Sequence, residues 1–577
     1  MNVETQQHAK DLQSPQAEQD LVHIKQLLSR YEAAKRHRDL WKNLWEECYE
    51  YALPQRGGFF AKTNPGQPRT KRVYDATAMD AADQLAASLL GNLTPSWSQW
   101  FGLKAGPELD PDQAQSIAPA LEKASKTIQA HFDRSNFAVE IHQCYLDLVV
   151  GGTASLFFEE AQPGSFSAFS FHAVPLTHVV LEEGASGFLD GVFRHLPMTF
   201  EQLTARYPEA EIPPQVQREG TKDPQVRFEV LEAVLPAELT YDYTAMLVHN
   251  ADQPVMLQRG SFLQNPAINF RWLKSPGEVY GRSPVMKALP DIKTANKVVE
   301  LILKNASIAV TGIWQADDDG VLNPANIELV PGTIIPKAVG SKGLQALDMP
   351  GQFDVSQLML ENMQNNIRRA LLADKLLPKT GAQMSATEVL ERASEIAMIL
   401  GATYGRLQSE LLTPLIKRAY EILRRRGEVP DIALDGHYIT IDYRSPLARS
   451  QGKRDVQNTL SWLKSVSAMG AQASATIDMA AAARFLGEAL SVPSNLIRDE
   501  AQIENTVRAL DPQNIPEGKQ FDKIIKQTAD QLATQTAEKV TAALLARLSS
   551  TKVPPTQNTM INTGNPATTS NISETEN

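Results

Sequence analysis

The side chains most able to do chemistry in this sequence are basic ones set at helical spacing. Lys287, Lys293, Lys297 and Lys304 fall in one helix-prone stretch, and Arg368, Arg369, Lys375 and Lys379 fall in and after another. Such cations can meet phosphates without reading bases, because phosphate contacts are electrostatic and carry no sequence information. The plain alternative is a solvated helix face or a set of ion pairs. The densest acidic run, Asp317-Asp318-Asp319-Gly320, could offer carboxylate oxygens to a hard divalent cation. Its consecutive spacing does not match an alternating Asp-x-Asp loop, and Asp-Gly is a common turn pair, so an exposed turn is the favoured reading.

Enzyme signatures are absent. No Gly-x-x-x-x-Gly-Lys-Ser/Thr phosphate loop occurs, which argues against an ATPase. The ten histidines form no His-Glu-x-x-His pair, His172 and His178 read as an ordinary β-region pair, and no Gly-x-Ser-x-Gly elbow appears. No metal or cofactor is expected, and the chain is read as a non-enzyme. Trp41, Trp45, Trp97 and Trp100 could stack on bases, but at helical spacing or beside apolar neighbours they read as core or interface anchors.

Composition sets the frame for these side chains. With 577 residues, 42% hydrophobic and 21% charged, the chain can build a large core and several packed regions. A formal net charge of −11 argues against a surface that grips nucleic acid throughout; an acidic wall suits a passage better than a clamp. Cys48 and Cys144 allow at most one disulfide, and both read as small buried hydrophobes. The most apolar stretch, Val298 to Val310, is broken by Glu300, Lys304 and Asn305, so no membrane span is expected. Met1 to Asp20 lacks the basic start and apolar centre of a secretory signal, so synthesis in a cytoplasm is expected.

The elements that must position these residues read as follows. A long amphipathic helix runs over Leu21 to Cys48, with Arg38 interrupting its face, and a second over Thr77 to Leu93. Residues 97 to 103 are strand-like, 111 to 150 helical, and the stretch from Ser155 to Trp272 holds several short β-prone runs. Pro284 starts a helix extending to about Ala309, and Pro290 falls within it, so either the helix proper begins at Pro290 or it is kinked there. After a Pro- and Gly-broken segment, helix returns over 355 to 373, followed by a long helical pattern from Ala386 to Arg426 interrupted at Gly401, Gly405 and Pro414. Residues 437 to 443 form a short strand, 450 to 510 are mainly helical, and Phe521 to Leu548 forms a last helix. Two adjacent helices with an insert at their far end make a stalk carrying a tip. From Thr551 the chain has almost no large apolar residue and is expected to be disordered.

Three stretches in order carry a family likeness. They are Val73-Tyr74-Asp75-Ala76-Thr77-Ala78 through Trp100-Phe101-Gly102-Leu103, then Gly277-Glu278-Val279-Tyr280-Gly281-Arg282-Ser283-Pro284, then Ser385-Ala386-Thr387-Glu388-Val389 with Arg392. Together they resemble the head-to-tail connector, or portal, family of T7-like short-tailed bacteriophages. The likeness breaks at Gln383-Met384, where T7-type members carry Arg before the Ser/Thr-Ala element.

The resemblance implies a mixed, helix-rich α/β fold with wing, stem, clip and crown regions. Residues 1–20 would be a disordered tail, 21–283 and 386–450 the wing, 284–310 and 354–373 the two stem helices, 311–353 the clip, 374–385 a tunnel loop, 451–550 the crown and 551–577 a disordered tail. It implies a structural subunit of a dodecameric ring at a unique capsid vertex, forming the channel for genome packaging and ejection. The implied partners are further copies of the chain, double-stranded DNA passing through, the major capsid protein and scaffold, the terminase and then a tail adaptor, with no membrane. The expected location is the virion, after synthesis in the host cytoplasm. By this likeness Lys293, Lys297, Lys304, Arg368, Arg369, Lys375 and Lys379 are the channel-facing candidates, and Asp317, Asp318 and Asp319 are docking candidates in the clip. The competing readings are a phage nucleic-acid-processing or translocating enzyme and another head-tail adaptor ring.

Overall fold

The computed structural model describes residues 15–56, 69–248, 254–311, 314–315, 345–346, 353–373, 401–432, 434, 436–469, 477 and 479–489. The run 316–344, with Asp317, Asp318 and Asp319, and the run 374–400, with Lys375, Lys379 and Gln383, lie outside them. Most of the described chain, up to 461 with 483–489, belongs to one compact unit; residues 462–468 and 479–482 belong to a second and are helical there.

The long helix read over Leu21 to Cys48 is two helices, α1 (Pro15–Asp39) and α2 (Lys42–Ala52). The cause is tertiary. The α1 face of Ile24, Leu27, Tyr31 and Ala34 covers one sheet, whereas Trp45, Cys48 and Tyr49 of α2 enter the helical core. No straight rod can do both. Arg38 sits at the break, buried, and its guanidinium donates to the Thr177 carbonyl at 2.9 Å.

Helix α3 (Thr77–Leu93) buries Ala78, Ala81, Ala82, Leu85, Ala86 and Leu89, a stripe whose small residues permit close helix contact. Strand β1 (Phe101–Ala105) follows. The stretch 111–150 is also broken, into α4 (Pro111–Arg134) and α5 (Phe137–Gly151). At the break the Asn136 carboxamide both donates to the Phe171 carbonyl (2.7 Å) and accepts from its N–H (3.0 Å). The side chain thus pairs with a strand and ends the helix.

Strands β2 (Thr153–Glu160), β3 (Phe169–Val174), β4 (Val179–Glu182) and β5 (Gly191–Thr199) lead to the short helices α6 (Phe200–Arg206) and α7 (Pro214–Lys222). Then come β6 (Arg227–Pro236), β7 (Tyr241–Leu247), β8 (Val255–Phe262) and β9 (Ala267–Arg271). They form two antiparallel sheets, ordered β3-β2-β9 and β4-β5-β6-β7-β8. The sequence reading missed α6, which opens on a Thr199–Gln202 capping box, as well as α7 and β8. As a half-exposed edge strand, β8 shows no strong apolar alternation.

Helix α8 (Pro284–Thr311) starts at Pro284 and runs through Pro290. The strands β10 (Trp314–Gln315) and β11 (Gln345–Ala346) pair antiparallel directly after it and shortly before α9 (Phe353–Ala370). The two helices therefore run back antiparallel, and they pack on each other. The last helical run is α10 (Gly401–Leu407), a π-turn (Gln408–Leu412) and α11 (Thr413–Arg425). Where Pro414 suggested a kink, the widened turn absorbs the proline; the Thr413 hydroxyl donates to the Gln408 carbonyl at 2.8 Å. Strand β12 (Ile439–Tyr443) pairs with β1, and α12 (Pro446–Ala468) and α13 (Met479–Ala489) complete the described chain.

One core joins α2, α3, α5, the near ends of α8 and α9, α11 and the β3-β2-β9 sheet. Phe132, Phe137, Phe158, Phe169 and Phe171 form its aromatic centre, Phe158 and Phe171 lying 4.3 Å apart by ring centroid. Charge is buried too. Glu232, 1% exposed, accepts from Arg194 (2.7 Å), Arg206 (3.0 Å), Tyr207 (2.8 Å) and Tyr243 (2.9 Å). Burial pushes its carboxyl up, but the two guanidiniums outweigh this and hold it below the ordinary value.

Candidate functional site

The α8–α9 hairpin carries most of the basic candidates, and its near end is built from one motif. In Gly277 to Pro284 the Arg282 N–H donates to the Leu273 carbonyl at 2.7 Å, and the Gly281 N–H to the Thr153 hydroxyl at 2.8 Å. The Ser283 hydroxyl accepts from the Met286 N–H (2.9 Å), capping the helix, and donates to the Val150 carbonyl (2.8 Å). Tyr280 is fully buried, meets Trp45 edge-on at 5.0 Å and accepts from the Leu181 N–H. The Arg282 guanidinium lies 4.6 Å from the centre of the Trp41 ring. Trp45 and Trp100 are thus core anchors, whereas Trp97 is 72% exposed.

Along α8, Lys293, Lys297, Glu300 and Lys304 stand at i, i+4, i+7 and i+11, one stripe of the helix. All three lysines are exposed and all are paired. Lys293 reaches Glu47 of α2 at 3.0 Å, Lys297 reaches Glu300 at 2.9 Å, and Lys304 reaches Glu300 at 2.5 Å. Glu47 holds the Lys293 ammonium above its usual range; Lys304 and Lys297 hold Glu300 below the carboxylate range. Three ammoniums against two carboxylates leave one net positive charge. The stripe is basic, but less so than its lysines alone suggest. On α9, Arg368 donates to Asn365 at 3.3 Å and Arg369 is exposed, while Lys287 is exposed near the start of α8.

Two polar clamps were missed from the sequence. Asn296, 6% exposed, accepts from the Tyr74 and Asp75 N–H groups (2.6 and 3.2 Å) and donates to the Arg72 carbonyl (2.9 Å). Gln364 of α9 donates to the Asp75 carboxylate at 3.2 Å, so residues 72–75 are tied to both helices. The signal was available: an amide set beside Ala295, in phase with Ile292 and Val299, falls on the buried face. The second clamp, Arg271 with Glu410, joins β9 to the π-turn. Its residues are 139 positions apart, and no local pattern announces them.

Among the described residues no group of three or more His, Cys, Asp or Glu could hold a metal ion. His172 and His178 both line a small cleft with His195. Cys48 and Cys144 are free and buried. No described helix is long and apolar enough to cross a membrane.

Comparison with known proteins gives this hairpin a context. The chain is 25% identical over 451 residues to the probable portal protein of Bordetella phage BPP-1, covering 74% of this chain and 80% of that one. It is 23% identical over 416 residues to the portal protein of Enterobacteria phage T3, covering 70% and 75%. A solved structure, the neck of an empty GTA particle computed with C6 symmetry, aligns with 69% of this chain and 91% of its own at 13% identity and a TM-score of 0.31. The sequence model of the family described as bacteriophage head to tail connecting protein matches residues 24–497. With that span covering the two larger sheets, the hairpin and the helix after the π-turn alike, the chain belongs to the phage head-to-tail connecting, or portal, protein family.

Proposed function

We propose that the chain is the repeating subunit of a dodecameric ring at one capsid vertex, with α8 and α9 as the stem around a channel for genome packaging and ejection. The observation that carries this reading is the outer half of the hairpin. Its inner half is buried through Val285, Ala288, Ile292, Ile367 and Leu371, yet farther out Leu301, Leu303, Leu358 and Met359 are 48 to 63% exposed. Large apolar side chains gathered on one element favour a partner surface. Leu301 and Leu303, two positions apart, project about 200° from each other and so flank the lysine stripe on both sides. A subunit that touches two identical neighbours through different sides can use this arrangement, and such contacts close into a ring where the rotation between neighbours closes.

In that ring the stripe of Lys293, Lys297 and Lys304, with Arg368, Arg369, Lys375 and Lys379, faces the channel. Its residual charge meets passing phosphates weakly, within an otherwise acidic protein. Residues 311–353, with Asp317, Asp318 and Asp319, act as the clip on which the terminase and later a tail adaptor dock, and the wing meets capsid and scaffold proteins. Residues 374–385 form the tunnel loop, 451–550 the crown, and the assembly is part of the virion.

Negative-stain imaging and mass measurement of the purified chain test this. The expected result is a nucleotide-independent ring with a central hole, reduced to monomers by Leu301→Asp with Leu358→Asp. Wild-type monomers with nucleotide- or metal-dependent activity would favour the processing-enzyme alternative.

A further inference from the structure

A cavity of about 400 Å³ opens between β9, the loop through Ser186 to Asp190, and the π-turn with the start of α11. It lies away from the hairpin, and nothing in the ring reading uses it. Its floor is the free edge of β9. The β2 side of that strand is taken by the even-numbered residues, since Phe158 donates to the Pro266 carbonyl and Trp272 to the Gly152 carbonyl. The odd-numbered residues therefore turn their N–H and C=O groups outward. Two outward N–H groups are capped by side chains: Ala267 by the Asn265 carbonyl oxygen at 2.9 Å and Arg271 by Glu410 at 2.9 Å. Asn269, between them, carries the one outward N–H and C=O pair of the strand with no side-chain cap among the described residues.

The Asn269 side chain adds a second, independent sign. It is 95% buried, its amide nitrogen donates to the Leu189 carbonyl at 3.3 Å, and its Oδ1 has no hydrogen-bond partner. Ser155, directly opposite on β2 and on the same face, has a buried hydroxyl without a partner too. Buried polar atoms are nearly always satisfied, so the open Asn269 oxygen on the cavity wall points to a ligand that satisfies it; Ser155 is not among the lining residues. The rim supplies Asp190 and Lys417, of opposite sign, and Phe188, 42% exposed. Paired opposite charges do not favour an ion; a neutral group with both donors and acceptors fits.

We propose that this cavity binds an extended polypeptide segment, which lays one residue, with the peptide units on either side of it, along β9 at Asn269. The incoming C=O accepts from the Asn269 N–H, its N–H groups donate to the Asn269 C=O and Oδ1, and a side chain rests on Phe188. This is strand addition confined to one residue, main-chain hydrogen bonds supplying affinity and the lip supplying selectivity. The slot is short because Asn265 and Glu410 occupy the edge on either side.

Saturation-transfer NMR on the full-length protein tests it with N-acetylalanine N-methylamide, which offers peptide N–H donors, and N-acetylproline dimethylamide, which offers none. The first is expected to bind saturably and the second not. Asn269→Leu removes one acceptor at similar volume and should weaken binding about fivefold. Should that variant misfold, Ser409→Trp, at an exposed position on the rim, should block the cavity and abolish binding with Asn269 intact. Equal binding of both probes, no saturable binding of the first, or unchanged binding in Ser409→Trp overturns the proposal.

Discussion

Glu410 holds Arg271 at three points. One carboxylate oxygen accepts from the Arg271 backbone N–H at 2.9 Å and from Nε at 3.3 Å, and the other accepts from the guanidinium at 2.7 Å, with both side chains buried. The guanidinium also donates to Glu183 (3.1 Å) and to the Gly187 and Val279 carbonyls (2.7 and 3.1 Å). Strand, loop and long helix thus meet on one side chain. Glu410→Leu should destabilise the protein by about 3 kcal/mol, because it leaves a buried guanidinium with only the partly exposed Glu183 as its acid. The Arg271→Met, Glu410→Leu double variant should recover part of that loss. Denaturant midpoints across the four proteins measure the coupling; strictly additive losses would contradict it.

The entry to α8 depends on a glycine pair. Gly152 ends α5 at φ +77°, and a Cβ there would stand 2.2 Å from the Gly281 carbonyl oxygen. Gly152→Ala should cost at least about 2 kcal/mol, from left-handed backbone strain together with displacement of the 281–283 turn. Gly164, at φ +93° with nothing within 4 Å, isolates the first contribution. Gly164→Ala should cost about 1–2 kcal/mol in the same denaturation measurement. Equal losses at the two sites would show that the close approach of Gly152 to Gly281 carries no strain.

The limits of sequence reading follow from where each constraint resides. Helix α3 was legible because its Ala and Leu stripe is local, and the start of α8 because Ser283 and Pro284 are. The breaks at Leu40-Trp41 and Ser135-Asn136 were not, since each serves a partner distant in sequence: the Thr177 carbonyl for Arg38, and Phe171 for Asn136. In the basic stripe, Glu300 could be read from its i+3 and i+4 spacing to Lys297 and Lys304, but the Lys293 partner Glu47 lies 246 residues away. Lys375, Lys379 and Asp317 to Asp319 fall outside the described residues, so the family resemblance alone places them.

Helix α1 should loosen in mild acid. It is fastened to the sheet by Arg30 on Glu182 (2.6 Å), Tyr31 on the His195 ring and Arg38 on the Thr177 carbonyl. His178, whose carbonyl accepts from the His195 N–H, is exposed yet held below its ordinary value of 6.5 by partial desolvation against the sheet first, then by His195 and Arg38, with Glu229 opposing. A histidine depressed in the folded state favours the neutral form, so its contribution is complete above the ordinary value and is lost as pH falls below it. Amide exchange in residues 20–39, corrected for intrinsic rates, should therefore quicken between about pH 7.5 and about pH 5.5. His178→Gln should flatten that change. An equal response in both proteins would assign the acid sensitivity elsewhere.

Glu300 sets the charge of the lysine stripe, and its removal gives the sharpest test of a channel role. In the wild-type chain it pairs with both Lys297 and Lys304, so neither ammonium is fully available to a phosphate. Glu300→Gln keeps the shape and helix propensity, frees both lysines and raises the stripe from one net positive charge to two. The pair is exposed, so stability should change by less than about 1 kcal/mol. Binding of the assembled protein to duplex DNA should instead strengthen, with a steeper salt dependence, because more counterions are released as more phosphates are neutralised. Lys297→Gln with Lys304→Gln should do the reverse, leaving Glu300 without these partners and the stripe with one net negative charge. If these lysines line the DNA path, Glu300→Gln should slow DNA passage by making the wall adhesive. A change in DNA affinity with no change in packaging or ejection rate would place the stripe away from the DNA path of the proposed ring.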